Sequence, residues 1–267
     1  MTATEALLRR DRLIVAACLV VICLLSWYYL LTGAGTGMST VAMTTWQFPP
    51  PVYGSSGASH WPAQYWWLMI VMWWVMMIAM MVPSAAPMIL LYARVKRHSQ
   101  QRDGNAGGTI PTALFLTGYL LAWLVFSLVA TALQWVLEQV GLVHGMMMWS
   151  NSSALSGIFL LAAGIYQYSP LKSACLTHCR GPASFLTQHW RKGSLGALHM
   201  GLEHGLYCVG CCWFLMLLLF VGGIMNLVWI AGLATFVLLE KLLPQGVQVA
   251  RWSGGIMVLA GASLLFT

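Results

Sequence analysis

Charge is scarce in this sequence: charged residues make up 7% of its 267 positions, and only six of those are acidic. Soluble domains carry roughly 25% charged residues, so a water-facing surface of ordinary composition is excluded. No charged residue occurs between Thr32 and Gln64, and no G-x-x-x-x-G-K-[ST] loop occurs anywhere, which excludes the phosphate cradle of an ATP-driven pump. A small-residue cleavage site is also missing after the first apolar run, so Leu13–Leu31 reads as a retained anchor, not a removed leader.

Apolar residues are abundant, at 60% hydrophobic with a mean hydropathy of +0.77. A bilayer core about 30 Å thick takes about 20 apolar residues per helix. Runs of that kind recur at Leu13–Leu31, Tyr65–Tyr92, Thr112–Leu137, Ser153–Tyr168, Gly205–Val221, Ile224–Leu239 and Trp252–Phe266. The fold class expected is therefore all-α: a polytopic transmembrane helix bundle of about seven spans. Residues 1–64 form an N-terminal anchor helix and external loop, and 65–267 a six-helix membrane domain.

The formal net charge of +7 would suit an acidic partner if it were spread evenly, but it is not. Arg9, Arg10 and Arg12 precede the first span; Arg94, Lys96, Arg97 and Arg102 follow the second; Lys172, Arg180, Arg191 and Lys192 follow the fourth; Lys241 and Arg251 separate the sixth from the seventh. All 13 basic residues thus share one side of a seven-span arrangement. The positive-inside rule makes that side cytoplasmic, with the N-terminus inside and the C-terminus outside, in a multi-pass membrane protein. The partner implied is the lipid bilayer, with a metal-delivery or other membrane protein as a further candidate; no nucleic acid is expected, and the oligomeric state is open.

Pro83 and Pro87 lie inside the second run, where they predict a bend or a re-entrant turn. Ser169-Pro170 makes a helix start and Gly181-Pro182 a stop, predicting a short helix over Pro170–Arg180. The glycines of "VGGIMN" permit a tight external turn that makes a helical hairpin of the fifth and sixth runs.

The chemistry is concentrated in "HGLYCVGCC". His204, Cys208, Cys211 and Cys212 stand at i, i+4, i+7 and i+8, one face of a helix, and Cys175, His178 and Cys179 repeat the theme at i, i+3 and i+4. If the two helices face each other, a sulfur and nitrogen site can be built from both. The cytosol is reducing, so thiols there read as ligands or redox groups before they read as disulfides. Isolated Cys18 and Cys23 read as small packing residues. His189 and His199 fit an interfacial stretch as well as a ligand role, His60, His98 and His144 fall in loops, and Glu203 and Glu240 suit a supporting or proton-handling role. In "MIVMWWVMMIAMMVPSAAPM", Met69, Met72, Met76 and Met80 make one helical stripe, with Met77, Met81 and Met88 beside it. Thioethers are soft ligands suited to Cu(I), although methionine is also a flexible packing residue. Met80 and Met81 fall near the depth of Cys208 and Cys211, so they join the candidate ligands.

The strings "MMIAMMVPSAAPM", "GIYQYSPLKSACLTHCRGP", "GLEHGLYCVGCCWFLM" and "GGIMNLVWI" resemble an uncharacterised bacterial family of predicted metal-binding integral membrane proteins, a domain of unknown function, from about Trp66 to the C-terminus. The resemblance implies a helical bundle with a metal site at Cys175, Cys179, His204, Cys208, Cys211 and Cys212. Three functions compete. The first is a soft-metal protein, for copper(I) above zinc or an iron–sulfur cluster, that holds metal at the cytoplasmic mouth and transports or delivers it. The second is an enzyme, a membrane thiol-disulfide oxidoreductase using the Cys208-Val-Gly-Cys211 pair. The third is a non-catalytic membrane subunit.

Overall fold

The computed structural model describes residues 3–48, 50, 60–102 and 110–266, and their side chains except those of 3–12 and 100–102. The side chains of Arg9, Arg10, Arg12 and Arg102 of the charge pattern, and part of the external and cytoplasmic loops, therefore lie outside what is described. Among the described residues ten helical segments follow one another: α1 (Ala3–Leu31), α2 (Ala63–Arg102), α3 (Ile110–Gln139), α4 (Ser153–Gln167), α5 (Pro170–Arg180), α6 (Pro182–His189), α7 (Gly193–Leu217), α8 (Leu219–Gly222), α9 (Leu227–Leu242) and α10 (Gly246–Phe266). Among the described residues there is no strand, only an isolated bridge between Val143 and Ser150.

Local chemistry sets the boundaries. Ser152 caps α4 by accepting from the Leu155 amide, and Asn226 caps α9 by accepting from Val228. Ser169 caps α5 with Pro170 at its first position, so the short helix over Pro170–Arg180 forms as expected. Gly223, at φ +105°, makes the turn between α8 and α9, a backbone state that side-chain-bearing residues rarely adopt. Pro83 and Pro87 do not produce a re-entrant turn: α2 runs through both as one helix.

Among the described residues, five helices are long and apolar enough to cross a membrane: Leu13–Leu31, Ala63–Ser99, Ile110–Gln139, Gly193–Gly222 and Gly246–Phe266. A sixth is counted if α4 and α5, bent by 66° at their junction, make one broken span. Of the seven runs marked in the sequence, α4 has 15 residues and α9 has 16, short of the length that crosses a bilayer unaided. Both are helical and packed, and five long apolar helices are compatible with a multi-pass membrane protein.

Contacts sort the connecting segments into two ends. At one end Asn226 Nδ2 donates to Thr45 O, the Ser150 backbone amide to Phe220 O, the Ile224 backbone amide to Met148 O, and Trp61 Nε1 to Glu138. At the other, Arg180 donates to the carbonyls of Leu243 and Pro244, Tyr168 OH donates to Arg251 O, and Lys96 lies over the Trp190 ring. The chain thus alternates between ends, and the basic residues gather at the second.

Glycine lets the helices approach closely, as expected where apolar burial does not distinguish protein from lipid. A Cβ on Gly201 of α7 would lie 1.9 Å from Phe115 O, and one on Gly118 of α3 would lie 2.1 Å from Leu198 O. Helices α4 and α10 meet the same way, Gly157 against Gly261 and Gly164 against Gly254.

Candidate metal centre

Three helices, α2, α5 and α7, bring sulfur to one buried point. His204, Cys208, Cys211 and Cys212 all lie on the buried face of α7, so the i, i+4, i+7, i+8 reading describes the helix that forms. Because α7 begins at Gly193, Cys208 lies about 22 Å along it at 1.5 Å per residue, well inside the bundle and not at a helix mouth.

Helix α5 faces α7, so the two cysteine groups meet. Cys179 Sγ lies 3.9 Å from Cys211 Sγ, and Cys179 also interacts with Cys208. Cys175 rests on Gly210: a Cβ there would lie 2.8 Å from Cys175 Sγ, so glycine at 210 lets α5 approach. From α2, Met81 Sδ lies 3.9 Å from Cys212 Sγ. Met80 is buried on the same turn, with no thiol contact established. His178 goes elsewhere: its ring stacks on Tyr207 at 4.3 Å and meets His189 edge-on.

His204 is 2% exposed among Phe115, Tyr119 and Phe185, and its Nδ1 has no hydrogen-bond partner among the described residues. A buried imidazole nitrogen left unpaired costs free energy unless something coordinates it. One turn from Cys208 and backed by soft donors, that atom suits a metal.

Cys208 is the centre of the group and has two partners that the cysteine pattern did not reveal. Lys241 Nζ lies 2.9 Å from Cys208 Sγ and 3.1 Å from Ser84 Oγ, and Tyr119 OH lies 3.1 Å from the same sulfur while donating to Met81 O. Cys211 and Cys212 turn their thiols back to Cys208 O at 3.1 and 2.9 Å. As placed, no group of three or more His, Cys, Asp or Glu side chains among the described residues stands in metal-holding geometry. In these bonds two thiols face a carbonyl, and the Lys241 ammonium lies against the Cys208 sulfur. Rotation about χ1 of Cys211 and Cys212 moves each sulfur between staggered wells without moving the backbone.

A second buried pair backs the cluster. Lys172 Nζ of α5 lies 2.7 Å from Glu240 Oε1 of α9, each side chain 2% exposed. It ties the helix bearing Cys175 and Cys179 to the helix bearing Lys241.

Comparison with known proteins bears on this geometry. The model of a family described as a copper chaperone, PpoB2, matches residues 70–264. The chain belongs to the PpoB2 family. The matched region runs from within α2 to near the end of α10, so every candidate ligand lies inside it and α1 lies outside. Membership in PpoB2 ties the chain to copper, a metal that thiolates, thioethers and imidazoles all suit. No curated protein and no solved structure matches the chain.

Sequence reasoning marked Glu240 and could have found Lys241 beside it, because charges at the end of an apolar run mark functional or paired groups. Tyr119 and Ser84 carry no such signal: each is an uncharged residue within a long apolar helix.

Proposed function

We propose that this chain is a membrane-embedded copper chaperone of the bacterial inner membrane that takes Cu(I) as cargo at Cys179, Cys208, Cys211 and Cys212, with Met81 and His204 as adjoining donors. The observation that carries the reading is the meeting of two helices through sulfur, Cys179 against Cys211 at 3.9 Å, inside a family described as a copper chaperone. Soft donors of three kinds select a soft monovalent ion over Mg or Ca, and the thioether favours copper over zinc. Loading turns the Cys211 and Cys212 sulfurs off Cys208 O and moves the Lys241 ammonium toward Ser84. The basic end of the bundle, where α5 docks, faces the cytoplasm by the positive-inside rule, and cargo exchanges with soluble carriers there.

Elemental analysis with anaerobic Cu(I) titration tests this, comparing the wild type with Cys208→Ser/Cys211→Ser. Stoichiometric copper in the wild type, lost in the variant, is expected. Two metal-free samples, with a Cys179–Cys211 disulfide recovered from the wild type, would instead support a thiol-disulfide oxidoreductase.

A further inference from the structure

Away from the thiols, one buried carboxylate has no role in the chaperone site. Glu138 of α3 is 5% exposed and sits at the end of the bundle opposite the basic residues. Its oxygens accept from Trp61 Nε1 at 3.1 Å and from Gln134 Nε2 at 2.9 Å. The same Gln134 amide lies 3.7 Å from Met69 Sδ, and Gln134 Oε1 accepts from Trp73 Nε1.

From Met69 the methionines continue without a break in burial. Met69, Met72, Met76, Met77, Met80 and Met81 are each 0–1% exposed. They cover about 18 Å of helix axis at 1.5 Å per residue, and the last, Met81, meets Cys212. Helix α3 runs antiparallel beside them, fixed by Gln134 against Met69 at one level and Tyr119 against Met81 at the other. Between those levels α3 carries Ser127 and Thr131, both fully buried. Their hydroxyl protons are engaged by Trp123 O and Ser127 O, so each hydroxyl oxygen is used as a donor and retains acceptor capacity.

A purely apolar contact gains nothing from this arrangement. Buried Glu, Gln, Ser and Thr are costly in a membrane interior and mark ion pathways, and ordering each methionine costs more rotamer entropy than ordering a leucine of equal volume. Uncharged thioethers can pass a monovalent soft cation along without leaving a buried charge behind it.

We infer that the buried methionines of α2 and the polar stripe of α3 form a transfer path for Cu(I) between Glu138 and the thiol cluster. The inference rests on the chaperone reading of the thiols and extends it from holding copper to moving it through the bundle. Each step exchanges one sulfur ligand for the next. Copper remains Cu(I), and neither electrons nor protons are transferred. Glu138 offers the carboxylate that neutralises the ion at the far end.

The test uses the full chain in phosphatidylcholine vesicles with a Cu(I)-specific fluorescent chelator trapped inside and buffered Cu(I) outside, anaerobically. The volume-conserving Met72→Leu/Met76→Leu variant keeps the wild-type copper stoichiometry at the thiols and the wild-type Tm while transfer into the lumen falls at least tenfold; Glu138→Gln falls likewise. Wild-type transfer rates in the methionine variant would overturn the path. So would a wild type that binds copper stoichiometrically yet transfers no faster than protein-free vesicles. Transfer that persists in Cys208→Ser/Cys211→Ser would refute the thiol reading while leaving the methionine path standing.

Discussion

The Lys172–Glu240 pair supports a quantitative prediction, because its two members differ in what surrounds them once one is removed. The contact is 2.7 Å with both side chains 2% exposed, so it belongs with buried ion pairs, for which loss of one partner costs about 3–5 kcal/mol. Lys172→Met leaves Glu240 in the field of Lys241 and Arg180, which partly compensates it, placing the cost near the low end, about 3 kcal/mol. Glu240→Leu leaves Lys172 Nζ with no hydrogen-bond partner among the described residues, placing the cost near the high end, about 5 kcal/mol. The double variant replaces the pair with apolar atoms of similar volume and returns to within about 1 kcal/mol of the wild type. At roughly 2–4 °C per kcal/mol for a chain of this size class, the Lys172 variant loses about 6–12 °C of Tm. Thermal unfolding in detergent at a fixed scan rate reads all four proteins. Because the pair joins α5 to α9, copper affinity follows the same order, with both singles weakened and the double restored. Single variants costing under 1 kcal/mol (~), or a double variant as damaged as the sum of the two, would refute the buried-pair reasoning.

Other outcomes follow from single contacts. Gly201→Ala puts a methyl 1.9 Å from Phe115 O, so α3 and α7 must separate; a loss of about 1–3 kcal/mol is expected, read as a lower Tm. Gly210→Ala meets Cys175 Sγ at 2.8 Å and pushes α5 off α7; copper affinity drops with little change in Tm, and an unchanged affinity would detach Cys175 and Cys179 from the site. Lys241→Met removes the ammonium that competes with the ion at Cys208, a charge-assisted contact worth about 1.5–3 kcal/mol, so Cu(I) is held at least about tenfold more tightly in chelator competition. Weaker binding in that variant would show that Lys241 positions the sulfur instead.

The helical architecture was legible because it depends on local sums: apolar runs, caps such as Ser169-Pro170, and breaks such as Gly223 are properties of neighbouring residues. The stripe His204, Cys208, Cys211 and Cys212 was legible for the same reason, since helical periodicity puts those positions on one face wherever the helix sits. Pro83 and Pro87 begin no re-entrant turn, since α2 stays helical through both. The apolar runs Ser153–Tyr168 and Ile224–Leu239 form helices α4 and α9 of 15 and 16 residues, close to the lengths of the runs themselves.

What the sequence by itself determined is the all-helical class, the gathering of basic residues between alternate helices, and the choice of soft donors. Tertiary structure alone decided which donors meet. It joined Cys179 to Cys211 across two helices, turned His178 onto Tyr207, and brought Lys241 and Tyr119 to Cys208 from residues 33 and 89 positions away. The physical reason is range. A residue's helical face is fixed within a turn or two, but the partner it meets depends on how closely whole helices approach, and here Gly118, Gly201 and Gly210 set that approach.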